Sequence, residues 1–391
     1  MRIAVVAPLV APIRPGQARG NHALIVDVAR GLAARRHDVR VWCAAGSRID
    51  GVDVEAVEVD EDIRSAFIVP GLGQAGGRPR SDRDRDASRS EAGPGGPGGA
   101  GSSDGMRRAF ERVFEGVRRW QPDAVSQHAF DVEAFELAEP FPAVHTLHLP
   151  PIVPAVVAAC RTTTRRVAAV SEHGRRQWCD TGVPDVLLLR NGVPDLAGAA
   201  IAGPEPAGRA ITRPSAHPEG RPADDRVALI AARISPEKGV DVALRVARRA
   251  GLRPVLAGEV YDREYHQRRV VPLLGGAEWL GPVSRERLAG LMARAAVVLM
   301  PVCWDEPFGL VAAEAQMAGC PVVAYRRGAL PEIVPDGVGG RLVDPGDETA
   351  LAEACGEVGG LDRDEIRRRA LAALSIDRTL DAYEAALAAT A

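Results

Sequence analysis

Residues 300–321 read MPVCWDEPFGLVAAEAQMAGCP, and this stretch decides the fold of the second half of the chain. The apolar run just before it, residues 295–300, has the length and composition of a buried strand. Residues 308–318 have the pattern of a helix, with Pro307 suited to its first turn and Gly319 suited to its stop. A strand, a loop and a helix in this order predict an α/β unit of a parallel sheet.

Two carboxylates and a helix start stand close together in this stretch. Glu306 lies in the loop, and Glu314 follows Leu310 by four residues, so that it lies on the same helix face about one turn in. The opening turn at Phe308, Gly309 and Leu310 offers unpaired backbone N–H groups and the positive end of the helix dipole, which suits an anion. Glutamates at such a spacing are usually solvated surface residues. Here Glu314 stands among apolar residues, where a charge needs a partner or a ligand.

Length and composition exclude several classes of protein. The chain has 391 residues, enough for two domains, with 46% hydrophobic residues and a formal net charge of -3. This balance predicts no nucleic-acid partner. The six cysteines are scattered and form no C-x-x-C pair, which favours free thiols in a reducing compartment. Without a secretory signal pattern or an apolar run long enough to span a membrane, we expect a cytoplasmic protein.

Alternating strands and helices indicate two doubly wound, Rossmann-like α/β domains that face a central cleft. Predicted strands lie at 3–7, 39–43, 124–125, 143–147, 167–170, 186–189, 227–231, 254–257, 277–280, 296–300 and 321–324. The first domain is predicted at 1–195 and the second at 226–376. Residues 196–225, rich in Pro, Ala and Gly, are predicted to be the linker, and 377–391 a terminal helix that packs back on the first domain.

Residues 71–105 interrupt the first domain with almost no apolar content and are predicted to be a flexible insertion. Asp82, Asp84 and Asp86 within it form D-x-D pairs of a kind that can bind metals. A metal site needs a rigid surrounding shell, so the solvated-linker interpretation is preferred and no metal site is predicted.

The second domain opens with a candidate anion site. Arg233 and Lys238 follow the predicted strand 227–231, and both can reach the cleft from its carboxyl end. Two cations and a helix start can bind a diphosphate without a metal. Each cation alone could equally be a solvated loop charge, but Gly239 permits close backbone approach and favours the binding interpretation.

With these motifs, the second domain resembles the GT-B glycosyltransferases, specifically the retaining enzymes of family 4. The resemblance rests on Arg233…Lys238-Gly239, on the E-x7-E pattern from Glu306 to Glu314, and on the segments AGCPVVA (318–324) and PEIVPDG (331–337). It implies a nucleotide-diphosphate sugar, UDP- or GDP-linked, as the donor. It also implies a hexosyltransferase. Because two cations and a helix start can bind the diphosphate, neither a cofactor nor a metal is expected.

The resemblance also assigns roles to residues. Arg233 and Lys238 would hold the diphosphate, and backbone N–H groups around Phe308, Gly309 and Leu310 would add donors. Glu314 would accept the ribose hydroxyls, and Glu306 would bind the sugar near the reacting carbon. The nucleobase would lie around Val283, through backbone contacts.

The first domain matches the family more loosely. The strand end Ala143-Val-His-Thr-Leu-His148 resembles a T-x-H strand end whose histidine contacts the donor sugar, and the register selects His148. Gly20 stands where the family has the second glycine of a Gly-Gly loop, with Arg19 at the first position. This departure leaves the phosphate contacts of that loop open.

The leading hypothesis is therefore retaining transfer of a sugar to an acceptor hydroxyl. An epimerase or phosphorylase on the same fold and a non-catalytic nucleotide-sugar binding protein are the alternatives. The acceptor could be a small molecule, a glycan or a lipid-linked sugar, and the sequence predicts neither its identity nor the oligomeric state. The apolar loop at 149–157 could line an acceptor pocket, although a packing role is the preferred interpretation.

Overall fold

The computed structural model describes residues 1–14, 20–59, 104–196 and 226–391. The predicted insertion at 71–105 lies outside the described residues except for Asp104 and Gly105, which open a helix. The predicted linker at 196–225 also lies outside them, apart from Leu196.

The described residues of the first half of the chain form a seven-stranded parallel sheet of strand order β3-β2-β1-β4-β5-β6-β7. Its strands are β1 (Arg2–Val6), β2 (Asp38–Ala44), β3 (Asp53–Val57), β4 (Ala124–Gln127), β5 (Ala143–Leu147), β6 (Arg166–Ala169) and β7 (Leu187–Leu188). The helices are α1 (Gly20–Ala34), α2 (Asp104–Trp120), α3 (Val132–Ala138), α4 (Pro154–Thr162) and α5 (Glu172–Asp180). Reversal of strand order between β1 and β4 places the ligand edge of a doubly wound sheet there.

Residues 226–391 repeat this plan in a six-stranded parallel sheet of order β10-β9-β8-β11-β12-β13. Its strands are β8 (Val227–Ala231), β9 (Arg253–Ala257), β10 (Glu278–Trp279), β11 (Val297–Met300), β12 (Val322–Tyr325) and β13 (Gly340–Val343). The helices are α6 (Val240–Arg249), α7 (Arg263–Tyr265), α8 (Arg285–Arg294), α9 (Leu310–Met317), α10 (Leu330–Ile333), α11 (Glu348–Glu357), α12 (Arg363–Leu374) and α13 (Ile376–Ala388). The prediction of two doubly wound α/β domains is confirmed.

Most predicted strands are present to within a residue or two because central parallel strands are continuous apolar runs. In β11 all four residues are buried. The sequence analysis missed β3 and β13, which lie at the sheet edges. Strand β3 reads DVEAV and exposes three of its five residues, so that no apolar run marks it.

The helix after β11 begins two residues later than predicted. Gly309 has φ 94°, in the left-handed region, and α9 starts at Leu310. Pro307 is therefore not in its first turn, and Phe308 lies before the helix with its side chain buried in the core. Because Ala313 N donates to Gly309 O, the N–H groups without an intrahelical acceptor are those of Leu310, Val311 and Ala312.

The terminal helix α13 crosses from the second domain to the first, where it packs against α1, β4 and β5. Its residues Leu380, Tyr383 and Leu387 belong to the same apolar cluster as Ile3, Val5 and Leu24. The first domain therefore has a core that is completed by the end of the chain.

A second contact between the domains involves Glu332 of α10. Its carboxylate accepts the backbone N–H groups of Glu172 and His173, at the start of α5, at 3.0 and 2.6 Å. Arg190 lies 3.1 Å from the same carboxylate. An acidic group at a helix N-terminus is favourable, so this contact stabilises the observed arrangement of the domains.

The state of the cysteines and the character of the helices can be read from the described residues. All six cysteines lie among the described residues and all are free thiols. Within the same part of the chain, no helix combines the length and apolarity that crossing a membrane requires.

Candidate functional site

Lys238 and Glu306 meet at the carboxyl ends of the neighbouring strands β8 and β11. Lys238 Nζ lies 2.7 Å from Glu306 Oε2, and the indole N–H of Trp304 donates to the same oxygen at 2.9 Å. The ammonium also lies 4.9 Å from the centroid of the Trp304 ring. The two charges are mostly buried, with 18% and 12% of their side chains exposed. A cation and a carboxylate therefore share one site, and Trp304 contacts both of them.

The backbone fixes the position of Glu306. Its carbonyl accepts the N–H of Ala329 at 2.8 Å, and Gly328, at φ 58°, passes so close that a Cβ there would lie 2.3 Å from Glu306 N. Only glycine can occupy that position without moving the loop. The carboxylate is thus presented from a rigid segment.

Arg233 has a carboxylate partner of its own, Glu237. The guanidinium lies 2.7 Å from the Glu237 carboxylate, which also accepts the Ser235 hydroxyl at 2.5 Å. Arg233 stacks over the Tyr261 ring at 4.9 Å. With 38% of its side chain exposed, Arg233 keeps an open face toward solvent while its orientation is fixed.

Two glycines, Gly239 and Gly20, lie where elements of the predicted site are in close contact. Gly239 has φ 63° and lies so close to Pro301 that a Cβ would be 2.2 Å from the Pro301 carbonyl oxygen. The loop that carries Lys238 therefore packs against the loop after β11. Gly20, the first residue of α1, faces Leu310 across the two domains, where a Cβ would lie 3.5 Å from Leu310 Cδ1. The start of α1 and the start of α9 therefore face each other.

Glu314 is held by Arg285, a residue that the sequence analysis did not select. Arg285 Nε and one terminal nitrogen donate to Glu314 Oε1 at 3.1 and 2.9 Å. Its other terminal nitrogen donates to both carboxylate oxygens of Asp27, on α1 of the first domain, at 3.0 and 2.8 Å. Burial raises the pKa of Glu314 and of Asp27 above their ordinary values, and the Arg285 charge opposes this shift.

His148 belongs to a buried chain of polar groups. Its Nε2 lies 2.9 Å from His128 Nδ1, and His128 Nε2 lies 2.9 Å from the Ser126 hydroxyl. The Tyr383 ring of α13 stacks on His128 with 5.9 Å between ring centroids. Burial, together with the nearby charge of His22, lowers the pKa of His148 to about 4. His148 is therefore a neutral imidazole at physiological pH, whose Nε2 is oriented by His128.

The structure thus groups the predicted site residues into neighbouring sets. Lys238 and Glu306 are in direct contact, Gly20 faces Leu310, and Val283 is partly buried against the core of the second domain beside Gly281. Glu314 contacts Arg285 rather than Arg233 or Lys238. His148 hydrogen-bonds within the first domain, to His128.

Sequence reasoning missed four contributors, namely Asp27, His128, Arg285 and Trp304. Trp304 stands inside the stretch that decides the fold, two residues before Glu306, and an indole among loop residues was a usable signal. Arg285 and Asp27 are ordinary charged helix residues, whose pairing is a property of the folded chain.

Metal ligands do not cluster in the part of the chain that the structure describes: no group of three or more His, Cys, Asp or Glu side chains could hold an ion there. The segment with Asp82, Asp84 and Asp86 lies outside those residues.

Residues 213–369 match the family model described as "Glycosyl transferases group 1". Among curated proteins, the chain is 36% identical over 196 residues to a D-inositol 3-phosphate glycosyltransferase of Streptomyces griseus, covering 44% of this chain and 39% of the relative. It is 39% identical over 153 residues to that of Mycolicibacterium smegmatis, covering 37% and 35%. The chain thus spans less than half the length of these relatives.

Solved structures match over the whole chain. HepE of Anabaena, solved with UDP and glucose, superimposes with a TM-score of 0.69 and 17% identity, covering 100% of both chains. The chain has the GT-B fold. AviGT4, a glycosyltransferase involved in avilamycin A biosynthesis, superimposes with a TM-score of 0.63 and 22% identity, covering 99% of this chain and 96% of AviGT4. In this fold, Glu306, Glu314 and Leu310 lie at the edge where doubly wound sheets bind ligands.

Proposed function

We propose that this protein is a retaining, family 4 glycosyltransferase that moves a hexose from a UDP- or GDP-linked donor to an acceptor hydroxyl without a divalent metal. The observation that carries the proposal is the contact of Lys238 with Glu306 at 2.7 Å, beside a helix that begins at Leu310. A cation for phosphate, a carboxylate for sugar hydroxyls and a helix N-terminus for an anion are the groups that a nucleotide sugar requires.

The donor would be held by charges already in place. A nucleotide diphosphate leaving group carries roughly two to three negative charges near neutral pH, by analogy with phosphate monoesters. Arg233, Lys238 and the start of α9 supply two positive charges and about half of another. Glu237 and Glu306 pair with these two cations and offset part of their charge. We therefore propose that the remaining N–H donors of Arg233 and Lys238, together with the start of α9, bind the diphosphate without a metal.

The reaction breaks the bond between the anomeric carbon and the diphosphate oxygen, and that oxygen takes the bonding electrons. The acceptor hydroxyl forms a bond to the anomeric carbon on the same face, and its proton passes to the departing phosphate oxygen. Arg233 and Lys238 stabilise the charge on that phosphate. Glu306 orients the sugar, and neutral His148 hydrogen-bonds it rather than adding a positive charge.

Mass spectrometry of a donor panel tests the proposal. Purified protein is incubated with UDP-glucose, UDP-N-acetylglucosamine and GDP-mannose, in excess EDTA or with magnesium or manganese. Each is tested alone and with inositol 3-phosphate, which the names of the curated relatives suggest as an acceptor. We expect cleavage of one donor, unchanged by EDTA, and an acceptor product with the donor's anomeric configuration by NMR.

Other outcomes identify the alternatives. A changed sugar that remains on the nucleotide indicates an epimerase, and a requirement for inorganic phosphate indicates a phosphorylase. Donor binding without turnover for any acceptor indicates a binding protein. Activity lost in EDTA and restored by one metal overturns the metal-free part of the proposal.

A further inference from the structure

Resting on the proposed function, we infer that Arg285 is a positioning residue that sets the Glu314 carboxylate to recognise the ribose of a nucleoside diphosphate, and that Asp27 of the first domain secures it there.

The hydrogen-bond pattern of Glu314 carries this inference. Both donors of Arg285 that reach Glu314 bind one oxygen, Oε1. Among the described residues, Glu314 Oε2 receives no hydrogen bond. Glu314 is therefore fixed through one oxygen, and the other remains to accept hydrogen bonds from ribose hydroxyls.

Arg285 also favours the charged form of Glu314. Only 15% of the Glu314 side chain is exposed, and burial favours its neutral, weaker-accepting form. The guanidinium opposes this shift. A planar group with five donors can serve both carboxylates at once, whereas a lysine ammonium cannot match that fork.

Asp27 holds the opposite side of the guanidinium. It lies on α1, the same helix whose first residue, Gly20, faces Leu310, and 14% of its side chain is exposed. Two carboxylates on opposite sides of one guanidinium fix its plane, so the ribose site depends on a residue of each domain. An ion pair with a merely structural role would hold the domains together without affecting the preference for a ribonucleotide over its deoxy forms.

Calorimetric titration of the full chain with UDP, 2′-deoxy-UDP and 3′-deoxy-UDP, and with the same GDP series, separates these roles. We expect the wild type to prefer one ribonucleotide over a deoxy form by about tenfold or more, the size of a hydrogen bond to a charged group. Arg285→Gln is expected to lose most of that preference. It should add no further loss in a Glu314→Gln background, because the two act as one unit.

Two further variants guard against loss of folding, which is checked by melting temperature. Arg285→Lys keeps the charge but not the fork and is expected to reduce the preference as well. Asp27→Asn leaves the contact between Arg285 and Glu314 in place and is expected to reduce the preference for ribose less. Arg190→Gln is the matched control, because it removes an ion pair with Glu332 across the same two domains and should leave the preference unchanged.

The outcomes separate this inference from the proposed function. A wild type that binds no UDP or GDP overturns both. A wild type that prefers ribose, with Arg285→Gln and Arg285→Lys showing the same preference, overturns the inference alone. Equal loss of preference in Arg190→Gln shows that domain contact in general, rather than Arg285, sets the site, and also overturns it.

Discussion

At the scale of single residues, the site is built from charges that already have partners. Lys238 contacts Glu306, Arg233 contacts Glu237, and Glu314 contacts Arg285. Partnered side chains lose less conformational freedom when a ligand binds, so such a site is preorganised. Each cation retains further donors with which to contact phosphate oxygens.

Removal of either phosphate-binding cation tests this assignment. We expect Lys238→Ala and Arg233→Ala each to reduce turnover at least about tenfold, since a contact to developing charge in a closed cleft contributes about 2–4 kcal/mol. Steady-state kinetics, with circular dichroism to check the fold, measure this. Arg249→Ala, at an exposed arginine that donates to Thr349, is the control and should retain wild-type kinetics. Wild-type rates in both site variants would contradict the assignment.

Buried histidines make the stability of the fold depend on pH. His145 is fully buried and stacks on Phe135 at 4.4 Å, and neither of its ring nitrogens has a hydrogen-bond partner among the described residues. Burial lowers its pKa to about 4. Between its ordinary pKa of 6.5 and this value, the unfolded chain binds a proton that the folded chain does not. Acidification through that range therefore destabilises the fold.

The pH dependence predicts the behaviour of His145→Leu. Between pH 7.5 and pH 5, the wild type should lose about 2 kcal/mol of unfolding free energy through this histidine alone, and the variant should lack that loss. Urea denaturation at the two pH values measures it. Because the other titrating groups are common to both proteins, the same pH dependence in wild type and variant would show that His145 is not the group responsible.

At the scale of elements, the loops are positioned by glycines at two kinds of place. Gly239 combines φ 63° with close contact to the Pro301 carbonyl, whereas Gly251 has φ 65° with no atom within 4 Å of an added Cβ. A residue with a side chain would be strained by the left-handed backbone at both positions. It would clash with a neighbouring atom only at position 239.

This pair separates strain from contact. Gly251→Ala should cost about 1–2 kcal/mol, the penalty of the left-handed conformation. Gly239→Ala should cost more and should also impair donor binding, because the loop that carries Lys238 must move away from Pro301. Thermal melting and nucleotide titration measure the two effects. Equal costs, with donor binding intact in Gly239→Ala, would mean that the loop yields freely.

At the scale of the whole molecule, the end of the chain completes the first domain. Tyr383 is fully buried, stacks on His128 and donates to Thr146 Oγ1 at 3.3 Å. Helix α13 therefore supports both the core of the first domain and the chain of groups that leads to His148.

Truncation tests that dependence. Deletion of residues 376–391 should destabilise the first domain, since loss of one large buried aromatic side chain alone costs about 3–5 kcal/mol. Limited proteolysis should then cut within residues 1–196 of the truncated chain before it cuts the second domain. Deletion of residues 389–391, which follow α13, is the control and should behave as wild type. Resistance of the first domain after the longer deletion would contradict the prediction.

The sequence by itself determined the two parallel sheets, the positions of most strands, and the choice of Lys238, Glu306 and Glu314 as candidates. Buried parallel strands are continuous apolar runs, and residues at their carboxyl ends share one edge of the sheet, so local pattern suffices for these features. The edge strands β3 and β13 were missed because they lack such runs. The start of α9 was misplaced because a left-handed glycine, rather than the preceding proline, begins it.

Only the tertiary structure decided which charges meet. Arg285 contacts Asp27, 258 residues away, and Glu314, 29 residues away. His128 contacts His148 across 20 residues, and Tyr383 reaches Thr146 across 237. Contacts of this kind depend on how domains and helices pack, because side-chain direction and distance follow from the folded backbone rather than from any local pattern.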